Sequence, residues 1–434
     1  MKHAPSNSGQ RATLTFLIRA LHYRNYRLFF SGQGISLVGT WMQQIAISWL
    51  VYRLTNSPFL LGLIGFAGQL PTFLLASVAG VFADRHDRRK LLVLTQSLAM
   101  SQAFVLALLT FTGRVAVWHL VILSIFLGLV NALDIPVRQS FVIDLVENKE
   151  DLGNALALNS VMFNGARLVG PSIAGLLISI VGEGFCFLLN GISFLAIVIA
   201  LLAMNVPERK TESGTVPFFQ GLRDGYIYTF GFAPIRYIIL FLALVSLMGT
   251  SYLVLMPVFA RDILHGGAHT LGFLMGASGI GALIGAVHLA SRKTVRGLGR
   301  LIVIASATFG IGLTVFSISR YIQLSLGMML FVGFGMIVHM ASSNTVLQTI
   351  VEEDKRGRMM SFYAMAFMGM APFGSLLAGS LASVIGAPNT LAISGLACVA
   401  GSLLFLTRLP SMRALVRPIY VQMGIIKEMP TELQ

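Results

Sequence analysis

The sequence predicts an all-α integral membrane protein: twelve transmembrane helices in two six-helix halves, with both termini cytoplasmic. Three observations carry this expectation. The 434-residue chain is 56% hydrophobic and only 11% charged, whereas a soluble domain carries about 25% charged residues. Apolar runs of about 20 residues, the length a helix needs to cross the hydrocarbon core, recur from end to end. Lys and Arg gather in alternate loops between those runs.

Taken in order, the apolar windows place spans near 28–52, 58–81, 91–112, 117–137, 155–181, 184–204, 237–259, 269–290, 300–319, 322–346, 359–385 and 389–407. An even count puts both ends on one side. Of the 31 Lys and Arg, 26 fall on that side; only Arg53, Arg114, Arg261 and Arg320 fall on the other, and Arg167 lies inside span 5. This bias predicts cytoplasmic termini. The net charge of +14 follows from topology, and nucleic acid is not expected as a partner, because that needs a basic face on a soluble fold. The first 27 residues contain Lys2, Arg11, Arg19, Arg24 and Arg27 but no short apolar core with a cleavage site, so a retained N-terminus is expected.

The longest polar stretch, 205–236, separates an N-terminal half (28–204) from a C-terminal half (237–407), with a cytoplasmic segment at 1–27 and a tail at 408–434. Phe218, Phe219, Leu222, Tyr226 and Ile227 share one helical side of this linker, which predicts a short helix lying on the membrane surface. A period of 204 residues sets Gly165, Gly170, Gly175 and Gly182 on Gly369, Gly374, Gly379 and Gly386, and a looser one of 210 sets Leu61-Gly62 on Leu271-Gly272. Internal duplication of this kind underlies many alternating-access transporters. Cys186 and Cys398 each sit inside an apolar run, which excludes a disulfide framework and a clustered-cysteine metal site. There is no P-loop, HExxH or GxSxG, so neither an enzyme nor an ATP-driven pump is expected.

At the inner end of span 2, Gly80-Val-Phe-Ala-Asp84-Arg85-His-Asp-Arg88-Arg89-Lys90 resembles the loop 2–3 signature of the major facilitator superfamily, with Asp87 where that family prefers glycine. Twelve spans and a six-plus-six split agree with the resemblance. Asp84 and Arg88 are one helical turn apart. The resemblance implies a cluster that locks the inner side, with Asp84 facing the start of span 11 near Arg358 and Arg88 reaching Asp134. Arg85, Arg89 and Arg138 belong to the same expected gate. The corresponding stretch after span 8, Ser291-Arg292-Lys293-Thr294-Val295-Arg296, lacks the acid. In span 5, Gly165, Gly170, Pro171 and Gly175 resemble the motif carried by the superfamily's exporters; small residues with a proline permit close, bendable helix contacts. Arg24-Asn25-Tyr26-Arg27, Asn131 to Gln139 and Arg356-Gly357-Arg358 resemble the branch holding macrolide efflux proteins and the enterobactin exporter.

Ionisable groups inside spans are costly and usually functional. Arg167 and Asp134 are therefore candidates for substrate contact or coupling. Among the histidines, His119 and His288 lie near span ends, while His339 shares span 10 with Ser342 and Ser343. Gln33, Ser36, Thr40, Gln43 and Gln44 form a polar stripe on span 1, and Asn159, Phe163, Asn164 and Arg167 form one on span 5. Met336, Met340, Met359, Met360, Met365, Met368 and Met370 crowd spans 10 and 11, offering soft walls to apolar substrates. The expected function is secondary active export of small amphipathic molecules, drug-like compounds or siderophores, by proton antiport. The resemblance implies no cofactor beyond a proton gradient, and a monomer in the inner membrane with lipid around it. Alternatives are transport of a lysophospholipid or other amphiphile, and a non-transporting scaffold or sensor.

Overall fold

The computed structural model describes residues 19–84, 86–146, 148–205, 226–292 and 294–426. All regular elements among them are helical. They are α1 (Arg24–Thr55), α2 (Pro58–Asp84), α3 (Arg88–Phe111), α4 (Val117–Asp144), α5 (Leu152–Val181), α6 (Glu183–Ala203), α7 (Ala233–Val258), α8 (Ala268–Ala290), α9 (Leu298–Ile318), α10 (Ile322–Ile350), α11 (Glu353–Phe367), α12 (Met370–Ile385) and α13 (Ala387–Gln422). Helices α1 to α10 match spans 1 to 10, α11 with α12 makes span 11, and α13 makes span 12. Among the described residues, eleven of these spans are long and apolar enough to cross a membrane. The remaining one, α1, is 32 residues long and carries the polar stripe.

Local chemistry sets the boundaries. Asp87 caps α3 by accepting from the Lys90 backbone N–H at 3.1 Å, which explains an acid where the signature prefers glycine. Gly182 and Gly386, paired by the 204-residue period, turn the chain into α6 and α13 at φ +86° and +83°, where a Cβ would be strained. After Pro257 the end of α7 loosens into a π turn, Phe259–Ile263. Span 11 breaks at Met368-Gly369, and the Ser246 hydroxyl donates to the Phe367 carbonyl beside the break. Such breaks survive in lipid only where another group satisfies the backbone.

The chain divides into two compact units, one drawn from Met1–Ile47 and Leu74–Ser213, the other from Ser48–Phe73 and Gly214–Gln434. The end of α1 and the first half of α2 thus cluster with the second unit. The first unit's core gathers Tyr26, Phe29, Leu92, Phe141, Phe194 and Leu201. In the second, α10 packs against α8 and α9, and α9 against α13. Many large apolar side chains point outward along the spans, including Leu108, Ile180, Ile199, Ile318 and Leu404. That is the surface a lipid solvent requires, and it confirms a multi-pass membrane protein. Of the expected linker helix, 206–225 lies outside the described residues, Phe218, Phe219 and Leu222 included, while Tyr226 and Ile227 are helical and exposed.

Candidate functional site

The α2–α3 junction of the first unit carries a dense run of charged residues, Asp84 to Lys90. Gly80 and Asp84 lie in the last turns of α2, but the Asp84 side chain, like Arg85 as a whole, lies outside the described part of the structure. Arg88 salt-bridges Asp144 at 2.7 Å. The expected contact with Asp134 is therefore corrected: Asp144, at the very end of α4, takes Arg88, and Asp134 is engaged elsewhere. Arg89 donates to the Leu201 and Leu202 carbonyls at 2.6 and 2.8 Å, closing the C-terminal turn of α6 where exposed carbonyls favour a cation. Tyr23 and Arg19 both reach Asp151 before α5, at 2.8 and 3.2 Å. Arg358 is exposed on α11 of the second unit.

Asp134 is buried in the packing of α3 against α4. Its Oδ1 accepts from Thr95 Oγ1 at 2.8 Å and Gln96 Nε2 at 2.7 Å, and its Oδ2 lies 3.5 Å from Arg138 Nε. A carboxylate so engaged ties two helices together. Asp134→Ala takes the carboxylate from Arg138 and from the buried Gln96 amide, while Thr95 keeps the Leu92 carbonyl at 3.1 Å, and is expected to cost about 3 kcal/mol. Thr95→Ala is expected to cost about 1 kcal/mol. Thermal unfolding of detergent-purified protein checks both, and equal midpoints for Asp134→Ala and the parent would contradict this role.

The polar stripe of α1 divides in two. Gln33 and Ser36 are buried, Thr40 returns its hydroxyl to the Ser36 carbonyl at 2.9 Å, and Gln43 donates to Gln102 at 2.9 Å while accepting from Asn190 at 2.8 Å. This network joins α1, α3 and α6. Gln44 alone of the stripe is exposed.

Nearby, α1 and α5 bring together a cation and two aromatic rings. The Arg167 guanidinium lies 5.7 Å from the Trp41 ring centroid, and Trp41 meets Phe163 edge to face at 5.9 Å. Arg167 is half-buried and Phe163 exposed. A Cβ on Gly170 would lie 2.6 Å from Trp41 Cβ and 2.8 Å from the Val38 carbonyl oxygen, so the glycine lets α5 approach close enough to set Arg167 over Trp41. Its repeat partner Gly374 does the same in the second unit, against the Leu247 carbonyl of α7. Gly165 has open space beside it, and Pro171 and Gly175 are buried. Asn164 bonds the Ser160 carbonyl at 2.8 Å, and Asn159 is half-buried. Trp41 was not singled out from the sequence; its position three residues before Gln44 was the available signal.

In the second unit, Met359 is fully buried and Met365 and Met368 are exposed. The end of α1 is held by Tyr52 donating to Asp262 and by Arg261 donating to Asn56 Oδ1 at 2.7 Å. The π turn after α7 is what presents Arg261 and Asp262 side by side. His339 is enclosed in α10.

The model of the transmembrane secretion effector family matches residues 19–420. The chain belongs to that family. It is one of membrane transporters within the major facilitator superfamily, not of enzymes, as the span 2–3 and span 5 motifs led us to expect. The chain is 25% identical over 389 residues to the staphyloferrin A transporter of Staphylococcus aureus, covering 87% of this chain and 95% of that one. It is 23% identical over 399 residues to macrolide efflux protein A of Streptococcus pyogenes, covering 87% and 96%. Among solved structures, a bacterial homologue of the iron transporter ferroportin in its inward-facing state shares the fold at TM-score 0.67 and 18% identity, over 88% of this chain and 98% of that one.

Proposed function

We propose that this protein is a secondary active exporter of small amphipathic molecules, drug-like or siderophore in type, driven by exchange against protons. The observation that carries the reading is the Arg167–Trp41–Phe163 cluster. A guanidinium within a span is costly unless something uses it. Beside two aromatic faces it offers a planar charge for a carboxylate or polarised carbonyl and an apolar wall for the rest of the molecule. Relatives named for a siderophore and for macrolides support that substrate class. The paired contacts of Gly170 and Gly374 give each half a tight helix crossing against a neighbouring backbone carbonyl, a fit for halves that rock as units. The protein acts as a monomer in the inner membrane, with cytoplasmic termini and no cofactor.

Trp41→Ala tests the cluster. In inverted vesicles challenged with erythromycin or staphyloferrin A, it is expected to raise KM about tenfold, the loss of one stacking and one cation–π contact. An unchanged KM for every transported compound would contradict the reading.

A further inference from the structure

Three buried side chains on α10 take no part in the contacts described so far. His339, Ser342 and Ser343 are each 0% exposed, and both His339 ring nitrogens and both serine Oγ atoms lack a hydrogen-bond partner in the chain. Residues three and four apart lie on one face of a helix. Four unpartnered polar atoms therefore share one stretch of α10. A helical hydroxyl normally turns back to the carbonyl one turn earlier, as Thr345 does to Ala341 at 2.9 Å; Ser342 and Ser343 do not. The Ile302 backbone on α9 approaches the His339 ring without completing a hydrogen bond. Phe241 on α7 packs on it at 5.0 Å, the rings 81° apart. Enclosed polar atoms of this kind are met by water or by a ligand.

The helices packed against α10 define the electrostatic setting. They bring His269 and His288 on α8, Arg300 on α9, and Arg236, Tyr237 and Tyr252 on α7. From α13 come Cys398, Tyr420, Arg408, Arg413 and Arg417, and from α11 come Tyr363 and the charged first turns with Glu353, Asp354, Lys355, Arg356 and Arg358. Tyr363 donates to the Met340 carbonyl at 3.2 Å, next to the site. No carboxylate lies in α7, α8, α9, α10, α12 or α13; the flanking ones are Asp262 after α7 and Glu352, Glu353 and Asp354 between α10 and the first turn of α11. A proton arriving at His339 thus finds no carboxylate on α7, α8, α9 or α10 to pair with, and no ion pair within those helices to break. Asp134 is the contrasting case, because its carboxylate is already held by Thr95, Gln96 and Arg138.

The geometry points to His339, with Ser342 and Ser343, as the site that takes up the proton exchanged for substrate. An imidazole lone pair accepts the proton and later returns it, with no other bond made or broken. The serine hydroxyls can accept from the imidazolium when the site is wetted, and the Phe241 ring offers it a cation–π contact. This assignment rests on the proton-driven reading above.

The test uses proteoliposomes with a trapped pH dye, challenged with erythromycin, tetraphenylphosphonium and staphyloferrin A, comparing the parent with His339→Gln. The variant is expected to keep substrate counterflow while losing at least tenfold of the substrate-evoked proton flux. Ser342→Ala combined with Ser343→Ala, which keeps the imidazole, is expected to shift the pH of half-maximal transport; this second variant decides if His339→Gln does not fold. Proton flux in the parent that survives unchanged in His339→Gln, or an unshifted pH profile in the serine variant, overturns the assignment alone. A parent that moves no protons overturns coupled export and this assignment with it.

Discussion

Arg167→Ala is expected to reduce transport by about 30- to 1,000-fold, the loss of about 2–4 kcal/mol of substrate binding to a partly desolvated guanidinium. Folded yield and unfolding midpoint are expected to stay near the parent's, because Trp41 and Phe163 keep their edge-to-face contact at 5.9 Å and Gly170 keeps α1 against α5. Arg167→Lys should fall between the two. It retains the charge but loses the planar group that lies over Trp41 and pairs in bidentate fashion with carboxylates. Initial rates in inverted vesicles, alongside unfolding midpoints, check the pair. Normal rates in Arg167→Ala would remove the guanidinium from the mechanism, and a collapse in yield would make it structural.

The largest loss of stability is expected from Gly333→Ala. A Cβ there would collide with the Ser278 carbonyl of α8, and one on Gly281 would collide with the Leu330 carbonyl of α10. Both obstacles are backbone, so no side chain can swing away. Overpacking of this kind costs about 3 kcal/mol or more, and helices in lipid have no hydrophobic drive to compensate for a lost close contact. Gly327 lies on the same helix with nothing within 4 Å of its would-be Cβ. Gly327→Ala is therefore expected to be neutral or to stabilise by up to about 1 kcal/mol. Thermal unfolding of both variants in one detergent separates a contact effect from a helix-propensity effect, and equal midpoints would contradict the account.

Much of the fold was legible because a bilayer demands long apolar helices and the positive charges mark the loops between them. The 204-residue glycine period also reads through to geometry: Gly170 and Gly374 both touch a neighbouring backbone, and Gly182 and Gly386 both turn the chain at positive φ. Partnerships were less legible. Arg88 chose Asp144 over Asp134 because spacing on one helix says nothing about which acid a neighbouring helix presents. Likewise Gln43 and Gln44 are adjacent on one stripe, yet one is buried in a network with Gln102 and Asn190 while the other is exposed. Helix rotation decides such cases, and it is a property of packing. The break at Gly369 was hidden for the same reason: it depends on Ser246 meeting the Phe367 carbonyl and on Phe73 filling the space beside the glycine.

Coupled export through Arg167 is tested most directly in proteoliposomes holding a trapped pH dye, with the parent and Arg167→Ala run side by side. Erythromycin, staphyloferrin A and tetraphenylphosphonium serve as challenges at a fixed pH difference. The account predicts a substrate-evoked dye response in the parent that is absent in Arg167→Ala. Substrate movement without any proton flux, or the same response in both proteins, would contradict it.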